Sequence, residues 1–222
     1  MQKSWVRLLL LLSLVSISLQ GCLPVGRSGA ADLEKEPGSL LYADDFSNPP
    51  SGWGIWDRAG ALVEYSNGGL RIRVDEPHYD FWSVAGQDFT DVQIEVDAAL
   101  LGGPSDNDFG IICRYQDSDN FYMLVISSDG YYGAAKLKNG QYSMIGTDQL
   151  QYNGVIAQGQ AANRLRADCV GDELSLYVNG QKLTEVRDGD FLDGDVGLIA
   201  GAYAVQGVDI LFDNFVVKEP DP

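Results

Sequence analysis

Apolar and polar residues alternate along most of this chain with the two-residue period of a β-strand. Residues 70–75 and 92–98 each present one apolar face and one charged face, the pattern of a half-buried antiparallel strand. Similar runs bounded by turn residues predict strands over 40–46, 165–169, 174–178, 181–186, 196–200 and 208–217. The segment 76–82, which contains His78, lies between strands in this prediction.

Residues 108–142 contain the longest alternating stretch and predict three consecutive β-hairpins. The first connection is the loop 116–120, and the second is a short turn over 127–131. The third is the two-residue turn Asn139-Gly140, because asparagine and glycine tolerate the positive φ angles that such a turn requires. These turns fix which residues face each other across the strands.

The predicted registers assign each side chain of these hairpins to one face of a sheet. Arg114 lies opposite Tyr122, and Tyr122 lies opposite Lys136, so the three form a cross-strand row with Tyr132 beyond it. This row is predicted to lie on an exposed, partly polar face. The opposite face is predicted to be core, with Cys113 opposite Met123; it carries Phe109, Ile111, Cys113, Tyr115, Phe121, Met123 and Val125.

The fold class follows from the number and spacing of these strands. No segment has the periodicity of a helix of three turns, and neither a repeat nor a second domain is present in the sequence. A dozen or so short strands with regular turns predict an all-β fold, a two-sheet antiparallel β-sandwich or jelly roll over residues 40–218. Residues 219–222 form a short tail. The chain has 222 residues, 45% of them hydrophobic, enough for a full core.

The N-terminus has the pattern of an export signal. Lys3 and Arg7 precede an apolar run that is too short to span a bilayer, so residues 1–21 are predicted to be a signal peptide. The segment Leu19-Gln20-Gly21-Cys22 resembles the bacterial lipobox, which implies that Cys22 is lipidated and becomes the mature N-terminus. The alternative is ordinary cleavage near this site, with Cys22 a free thiol. Residues 22–39 are then a flexible tether.

The net charge limits the partners of the mature chain. Loss of Lys3 and Arg7 with the signal peptide takes the formal charge from −17 to −19. This charge argues against nucleic acid and against general attraction to anionic lipid. Contact with a membrane is therefore expected through the lipid anchor only, on the extracytoplasmic face of a bacterial membrane or at the cell surface.

Three cysteines fit an exported protein. Cys22 is the predicted lipid attachment site, which leaves Cys113 and Cys169 to pair in an oxidising compartment. Both lie on predicted apolar strand faces, so a disulfide between them is expected; two buried unpaired thiols are the alternative.

Several short motifs, taken in order, carry a resemblance to a known superfamily. They are Asp44-Asp45-Phe46, Phe89-Thr90-Asp91-Val92, Gly110-Ile111-Ile112-Cys113-Arg114-Tyr115, Asn120-Phe121-Tyr122, Leu176-Tyr177-Val178-Asn179-Gly180, Val196-Gly197-Leu198 and Phe212-Asp213-Asn214-Phe215. In this order they resemble the concanavalin A-like lectin/glucanase superfamily. The nearest likeness within it is to the laminin G-like and 3-keto-disaccharide-hydrolase-like jelly rolls of bacterial envelopes. The resemblance implies two curved sheets, with sugars bound on the concave one.

The resemblance also implies two sets of candidate residues. The glucanase branch uses a Glu-x-Asp-x-x-Glu strand motif, to which Glu95 and Asp97 conform, but Leu100 stands in the third position. A retaining glycosidase needs a second carboxyl group as proton donor, so catalysis by this strand is not expected. Many such jelly rolls hold a structural Ca²⁺, which would here be bound by Asp45 and Asp213. The alternative is that these aspartates merely end strands.

Binding is the function that these residues favour. Sugars are bound by aromatic rings and by side chains that hydrogen-bond to hydroxyl groups, and Arg114, Tyr122, Lys136 and Tyr132 are of these types. The alternative is an ordinary outer sheet face whose cations pair with acids. We therefore expect a non-catalytic, lipid-anchored lipoprotein whose domain binds a glycan or another envelope ligand. A glycoside hydrolase of the 3-keto-glycoside or glucanase type and a structural adhesion module are the alternatives.

Overall fold

The computed structural model describes residues 36–49 and 51–221, which fold into sixteen β-strands without a helix. The strands are β1 (Leu40–Asp44), β2 (Trp56–Arg58), β3 (Ala61–Ser66), β4 (Gly69–Val74), β5 (Tyr79–Phe89), β6 (Val92–Gly102), β7 (Asn107–Asp117), β8 (Asn120–Ile126), β9 (Tyr131–Lys138), β10 (Gln141–Met144), β11 (Gln151–Tyr152), β12 (Asn163–Val170), β13 (Glu173–Val178), β14 (Gln181–Arg187), β15 (Gly194–Ala202) and β16 (Val208–Lys218). In these ranges no helix is long and apolar enough to cross a membrane. The predicted signal peptide, Cys22 and the tether up to residue 35 lie outside the described residues.

The strands form two antiparallel sheets, which confirms the predicted sandwich. The nine-stranded sheet has the order β14-β13-β12-β6-β16-β4-β3-β2, with β1 also paired to β16. The seven-stranded sheet has the order β10-β9-β8-β7-β15-β5, with β11 paired to β9. Neighbours such as β6 and β16, or β15 and β5, are far apart in sequence, so the crossovers of a jelly roll connect the sheets.

The inner faces of the two sheets form the main core. Alternate residues of each strand point into it, and rings such as Phe109 and Phe212 meet across it with their centroids 6.4 Å apart. Burial of a side chain of this size contributes about 1.5–3 kcal/mol. The predicted disulfide is confirmed: Cys113 of β7 is bonded to Cys169 of β12, with the Cα atoms 6.8 Å apart. It therefore joins the two sheets through the core.

A β-bulge in β7 overturns the predicted register of the first hairpin. Cys113 lies opposite Tyr122, not Met123, and the pairing shifts between Cys113 and Asp117. Arg114 adopts a φ of 55°, a left-handed conformation that breaks the alternation of side chains. The register of the second hairpin, with Tyr122 opposite Lys136, is confirmed.

The shifted register exchanges the two faces of β8. Tyr122 and Leu124 point into the main core, whereas Phe121, Met123 and Val125, predicted to be core, lie on the other face of the sheet. There they pack with Ile112, Ala135 and Ile199 in a second apolar cluster, flanked by Trp82, Tyr115, Leu137, Met144 and Leu150. The face of the seven-stranded sheet that points away from the core, called the outer face below, is therefore also largely apolar.

β5 was not predicted, and it matters for function. Residues 76–82 were expected to lie between strands, but the strand begins at Tyr79 and pairs with β15 along its length. The unexpected strand places Asp80, Trp82 and Val84 on the outer face, because alternate side chains share a face. Asp80 lines the cleft described next, and Trp82 and Val84 line a separate cleft nearer the edge of the sheet.

Candidate functional site

Two aspartates from different strands meet on the outer face of the seven-stranded sheet. Gly201 of β15, the strand between β5 and β7, pairs with Asp80 of β5 on one side and with Asp108 of β7 on the other. A Cβ atom at Gly201 would lie 2.0 Å from Oδ1 of Asp80 and 2.1 Å from Oδ1 of Asp108. The two carboxyl groups therefore lean over the glycine from both sides and lie next to each other, an arrangement for which glycine leaves the space.

These carboxyl groups line a cleft of about 380 Å³, called the Asp cleft below. Its walls are formed by His78, Asp80, Asp108, Leu137, Gly140, Tyr142, Ala202 and Tyr203. Asp108 is only 6% exposed, and its Oδ1 atom has no hydrogen-bond partner. A buried, unpartnered acceptor is energetically costly, so this oxygen is available to a ligand that donates a hydrogen bond.

The pair binds protons more tightly than ordinary aspartates. Burial raises the pKa of Asp80 to about 6. Burial, followed by the nearby charge of Asp80, raises the pKa of Asp108 well above its usual range. Two carboxyl groups in one site resist full ionisation because their charges repel. Near neutral pH the pair therefore holds a proton and can both accept and donate hydrogen bonds.

Two tyrosines complete the polar lining of the Asp cleft. The Tyr142 ring is 54% exposed, and its phenol contacts Sδ of Met144 at 2.9 Å. Desolvation, and then the charges of Asp108 and Asp80, raise the pKa of Tyr142 to about 12. Burial and the same acidic residues raise the pKa of Tyr203 as well. Both phenols stay protonated, and their rings provide amphipathic contact surface at the rim.

A second, shallower cleft continues from the first on the far side of Tyr203. It has a volume of about 620 Å³ and is lined by Asp106, Ser127, Asp129, Tyr131, Gln149, Leu150 and Tyr203. At its edge the rings of Tyr131 and Tyr152 meet at 71° with centroids 5.7 Å apart, and both are well exposed. The two clefts share Tyr203, so an extended ligand can lie across both.

The row Arg114, Tyr122 and Lys136 was predicted to lie on an exposed face, and this predicted exposure is wrong for Arg114 and Tyr122. Arg114 is 1% exposed and Tyr122 is fully buried. The bulge turns Arg114 inward, where its guanidinium donates hydrogen bonds to the carbonyl oxygens of Gly171 and Phe191 and pairs with Asp91 at 3.4 Å. Arg114 thus fastens the β12–β13 turn and the segment before β15 to the sheet.

Tyr122 and Lys136 have the same structural role. The Tyr122 phenol donates to Oδ1 of Asp188 at 2.6 Å and accepts from the backbone N–H of Phe191 at 3.1 Å. Lys136 pairs with Asp188 and with Asp190. Burial and the Asp188 hydrogen bond raise the pKa of Tyr122 to about 12. Tyr132, half-buried against the main core, does not join them.

No family model matches the sequence, and no curated protein matches it. The structure is similar to the carbohydrate-binding module CBM66 from Bacillus subtilis, with a TM-score of 0.61, 18% identity, and 76% of this chain and 96% of that chain covered. It is also similar to a Bacillus licheniformis β-glucanase, with a TM-score of 0.58, 14% identity, and coverage of 84% and 100%.

A third neighbour is a Bacillus subtilis protein of unknown function described as having a galectin-like fold. The TM-score is 0.60 at 13% identity, with 83% of this chain and 97% of that chain covered. These similarities agree with the two packed antiparallel sheets of this chain. The fold is a concanavalin A-like jelly roll. Identities this low establish the fold of the chain, and its function has to be argued from the site.

The jelly roll does not gather the residues predicted to bind Ca²⁺ into a metal site. Oδ1 of Asp45 accepts hydrogen bonds from the backbone and hydroxyl of Ser47, and Oδ1 of Asp213 accepts from the backbone of Asn214. Within 36–49 and 51–221, no three His, Cys, Asp or Glu residues are grouped to hold a metal ion. Asp45 and Asp213 alone supply fewer than the 6–8 oxygen ligands that Ca²⁺ takes. A calcium ion at Asp45 and Asp213 therefore stays a prediction.

The glucanase-like positions of the jelly roll form ion pairs. Burial opposes the ionisation of Glu95, but hydrogen bonds from Lys218 and Arg164 outweigh it and lower its pKa to about 2. Asp97 pairs with Arg164 at 3.3 Å. Both lie on β6 in the nine-stranded sheet, away from the Asp cleft. A carboxylate held ionised by two cations is poorly suited to donate a proton.

Sequence reasoning missed Asp80, Asp108, Gly201 and Tyr203. Asp80 fell in a segment expected to be a loop, and Asp108 stood at the edge of the predicted hairpins. Their proximity depends on β15 inserting between β5 and β7, a pairing that joins residues about 90 to 120 positions apart. The available signal was an aspartate at the start of an apolar strand, a position where burial is costly without a functional reason.

Proposed function

We propose that this jelly roll binds a neutral carbohydrate in the Asp cleft. The observation that carries the proposal is the pair of carboxyl groups beside Gly201, one of which has a buried and unpartnered oxygen. Adjacent hydroxyl groups of a sugar are hydrogen-bond donors at the spacing that two adjacent carboxyl groups accept. Tyr142 and Tyr203 provide rings that can contact the C–H face of the same sugar.

The lining of the cleft supports a neutral ligand over an acidic one. No arginine or lysine is among the residues that line the Asp cleft, so an anionic sugar would meet two acidic groups without a compensating cation. The CBM66 neighbour is a carbohydrate-binding module by its description, and the resemblance of folds makes the same class of ligand reasonable here.

The proposal also includes the cellular setting. We infer that Cys22 is lipidated and that the jelly roll is displayed on the outer side of a bacterial membrane, because residues 1–22 have the pattern of a lipoprotein signal. Incorporation of labelled palmitate into the full chain in a bacterial host, and its loss in Cys22→Ser, tests this part. Labelling that persists in Cys22→Ser would contradict it.

A glycan array tests the ligand class and the site together. The chain from residue 22, carrying Cys22→Ser so that it is soluble, is screened beside Asp108→Asn. The expected result is a signal on neutral glycans that falls at least tenfold in Asp108→Asn. Asp97→Asn, the same substitution on the nine-stranded sheet, is the matched control and is expected to leave the signal unchanged. Equal signals from the two variants would rule out the Asp cleft.

Glycoside hydrolysis is a second candidate, supported by the raised pKa of Asp80 and Asp108. A glycosidase uses one protonated and one ionised carboxyl group, but these stand on the two sides of the scissile bond, about 5 to 9.5 Å apart. Here both lean over a single glycine, which favours binding. Reducing-end release from a neutral glycan that binds, abolished by Asp80→Asn, would establish the enzyme instead.

A further inference from the structure

A third cleft lies where β2, an edge strand of the nine-stranded sheet, approaches β5, an edge strand of the seven-stranded sheet. It has a volume of about 270 Å³ and is called the Trp cleft below. Its lining includes Trp56 and Arg58 of β2, Trp82 of β5, and Tyr115 of β7. Two tryptophans, a tyrosine and an arginine are thus brought together from both sheets.

The aromatic part of this cleft is held rigidly. The rings of Trp82 and Tyr115 pack on Phe121, with centroid distances of 5.1 and 5.5 Å. Phe121 is itself fully buried in the second apolar cluster. The two rings are only partly buried, so each keeps some surface exposed. A rigid ring exposed in a cleft is the usual contact surface for the C–H face of a sugar, because ordering it costs little entropy.

Arg58 is distinct from the other cations of the chain. Its guanidinium carbon lies 4.2 Å from the centroid of Trp56 and 4.8 Å from that of Phe81. Ten other arginines and lysines fall within 36–49 and 51–221, and every one of them pairs with a carboxylate. Arg58 alone among these has aromatic rings and no carboxylate partner, in a chain with 32 acidic residues.

The absence of a partner carboxylate has a chemical consequence. Stacking on two rings fixes the plane of the guanidinium and leaves its N–H groups free to donate. A planar fork of this kind matches a carboxylate with two parallel hydrogen bonds. The volume is below the roughly 300–1,000 Å³ of sites that enclose a drug-sized ligand, so the cleft suits a single sugar ring.

We propose that the Trp cleft is a second carbohydrate subsite, selective for a sugar that carries a carboxylate. The Arg58 guanidinium receives the carboxylate of a hexuronate, and Trp82 and Tyr115 contact its ring. Asp80 of the Asp cleft and Trp82 of the Trp cleft are two residues apart on one face of β5, a separation of about 7 Å. The two clefts therefore accept neighbouring units of one glycan, neutral in the first and acidic in the second. This inference rests on the proposed sugar-binding function for its ligand class.

The test compares oligosaccharides that differ only in charge. Isothermal titration of the Cys22→Ser chain measures binding of an oligosaccharide in which neutral sugars alternate with hexuronates, and of its methyl ester, in which each carboxylate is neutral. The protein with Arg58 intact is expected to bind the free acid with about tenfold to a hundredfold higher affinity than the ester at low salt. This preference is expected to weaken as salt is added. Equal affinity for the two would overturn the proposal.

Variants of Arg58 assign the preference to the Trp cleft. Arg58→Gln is expected to abolish the preference for the free acid, and Arg58→Lys to retain only part of it, because the charge stays but the fork is lost. Arg187→Gln, on β14 of the nine-stranded sheet, removes an exposed cation and serves as the control. Circular dichroism checks that each variant is folded. A preference that survives Arg58→Gln would show that the acid binds elsewhere.

The outcome separates this inference from the proposed function. Binding of a neutral glycan that depends on Asp108, without any effect of Arg58, overturns the Trp cleft and leaves the Asp cleft standing. Binding of the acidic oligomer that depends on Arg58, without any effect of Asp108, overturns the Asp cleft and leaves the Trp cleft standing. Binding of neither class overturns both.

Discussion

Asp80 and Asp108 lie on opposite sides of Gly201, close enough that a single methyl group on the glycine would overlap both carboxyl groups. Three strands that are distant in sequence create this arrangement, since β15 is hydrogen-bonded between β5 and β7. The protein keeps two acids together on a buried surface at a cost to its own stability. We take that cost as the mark of a binding site.

Replacing one of the two acids is expected to stabilise the fold near neutral pH. An aspartate whose pKa is raised by folding binds its proton more tightly in the folded state than in the unfolded chain, where the pKa is about 3.9. The free energy of unfolding therefore decreases as pH rises through the pKa of about 6 given for Asp80. Asp108→Asn removes the repulsion between the two carboxyl groups. At pH 7.5 the free energy of unfolding of this variant is therefore expected to exceed that of the wild type by roughly 1–3 kcal/mol.

Urea denaturation at several pH values measures this effect. The difference between Asp108→Asn and the wild type is expected to shrink as pH falls to 4.5, where both carboxyl groups of the wild type are protonated. A variant that is less stable than the wild type at pH 7.5, with a difference independent of pH, would show that the carboxyl groups do not repel each other.

Gly201 is expected to tolerate no side chain. In Gly201→Ala the new Cβ displaces both carboxyl groups, which is expected to cost roughly 1–3 kcal/mol of stability and to abolish glycan binding. Gly154→Ala is the matched control, because nothing lies within 4 Å of a Cβ at that position. Thermal melts and binding assays on the two variants check both effects. Full glycan binding by Gly201→Ala would place the ligand away from the pair.

Arg114 is expected to matter for folding and not for binding. In Arg114→Met the carbonyl oxygens of Gly171 and Phe191 lose their donor inside the protein, so unfolding is expected to become easier by roughly 3–5 kcal/mol. Arg187→Met breaks only exposed ion pairs and is expected to cost less than about 1 kcal/mol. Denaturant titration compares the two. Similar stability of the two variants would contradict the structural role of Arg114.

The disulfide between Cys113 and Cys169 is expected to contribute about 4 kcal/mol, because it closes a loop across a sequence separation of 56 residues. The double variant Cys113→Ala/Cys169→Ala is expected to unfold at correspondingly lower denaturant, and the wild type with reductant is expected to approach it. If the oxidised wild type and the double variant have equal midpoints, the bond contributes nothing to stability.

The sequence was sufficient for the architecture because the strand pattern and the turns are local signals. Asn139-Gly140 forms the predicted turn between β9 and β10, both residues having positive φ. The register that depends on the 127–131 turn, Tyr122 opposite Lys136, is also confirmed. The disulfide followed from the apolar faces that carry its two cysteines. The turn and the register needed only the residues of two neighbouring strands, and the disulfide needed the alternation within each of two separate strands together with the expected oxidising compartment.

The site could not be predicted in the same way, because one bulge and one unpredicted strand decide it. The left-handed conformation of Arg114 shifts β7 against β8 and moves Arg114 and Tyr122 from an expected surface into the interior. Position 114 is neither glycine nor asparagine, the residues that would have predicted a left-handed conformation there. Asp80 and Asp108 meet only through β15, and alternation within a strand carries no information about which distant strand will be its neighbour.

The most direct test of the central claim is to map a bound neutral oligosaccharide onto the molecule. Amide chemical shifts of the Cys22→Ser chain, recorded while a glycan selected by the array is added, report which residues it contacts. The largest changes are expected on Gly201, Tyr203, Asp108 and Tyr142, around the Asp cleft, and they are expected to vanish in Asp108→Asn. Changes confined to the nine-stranded sheet, or unaffected by Asp108→Asn, would contradict this claim.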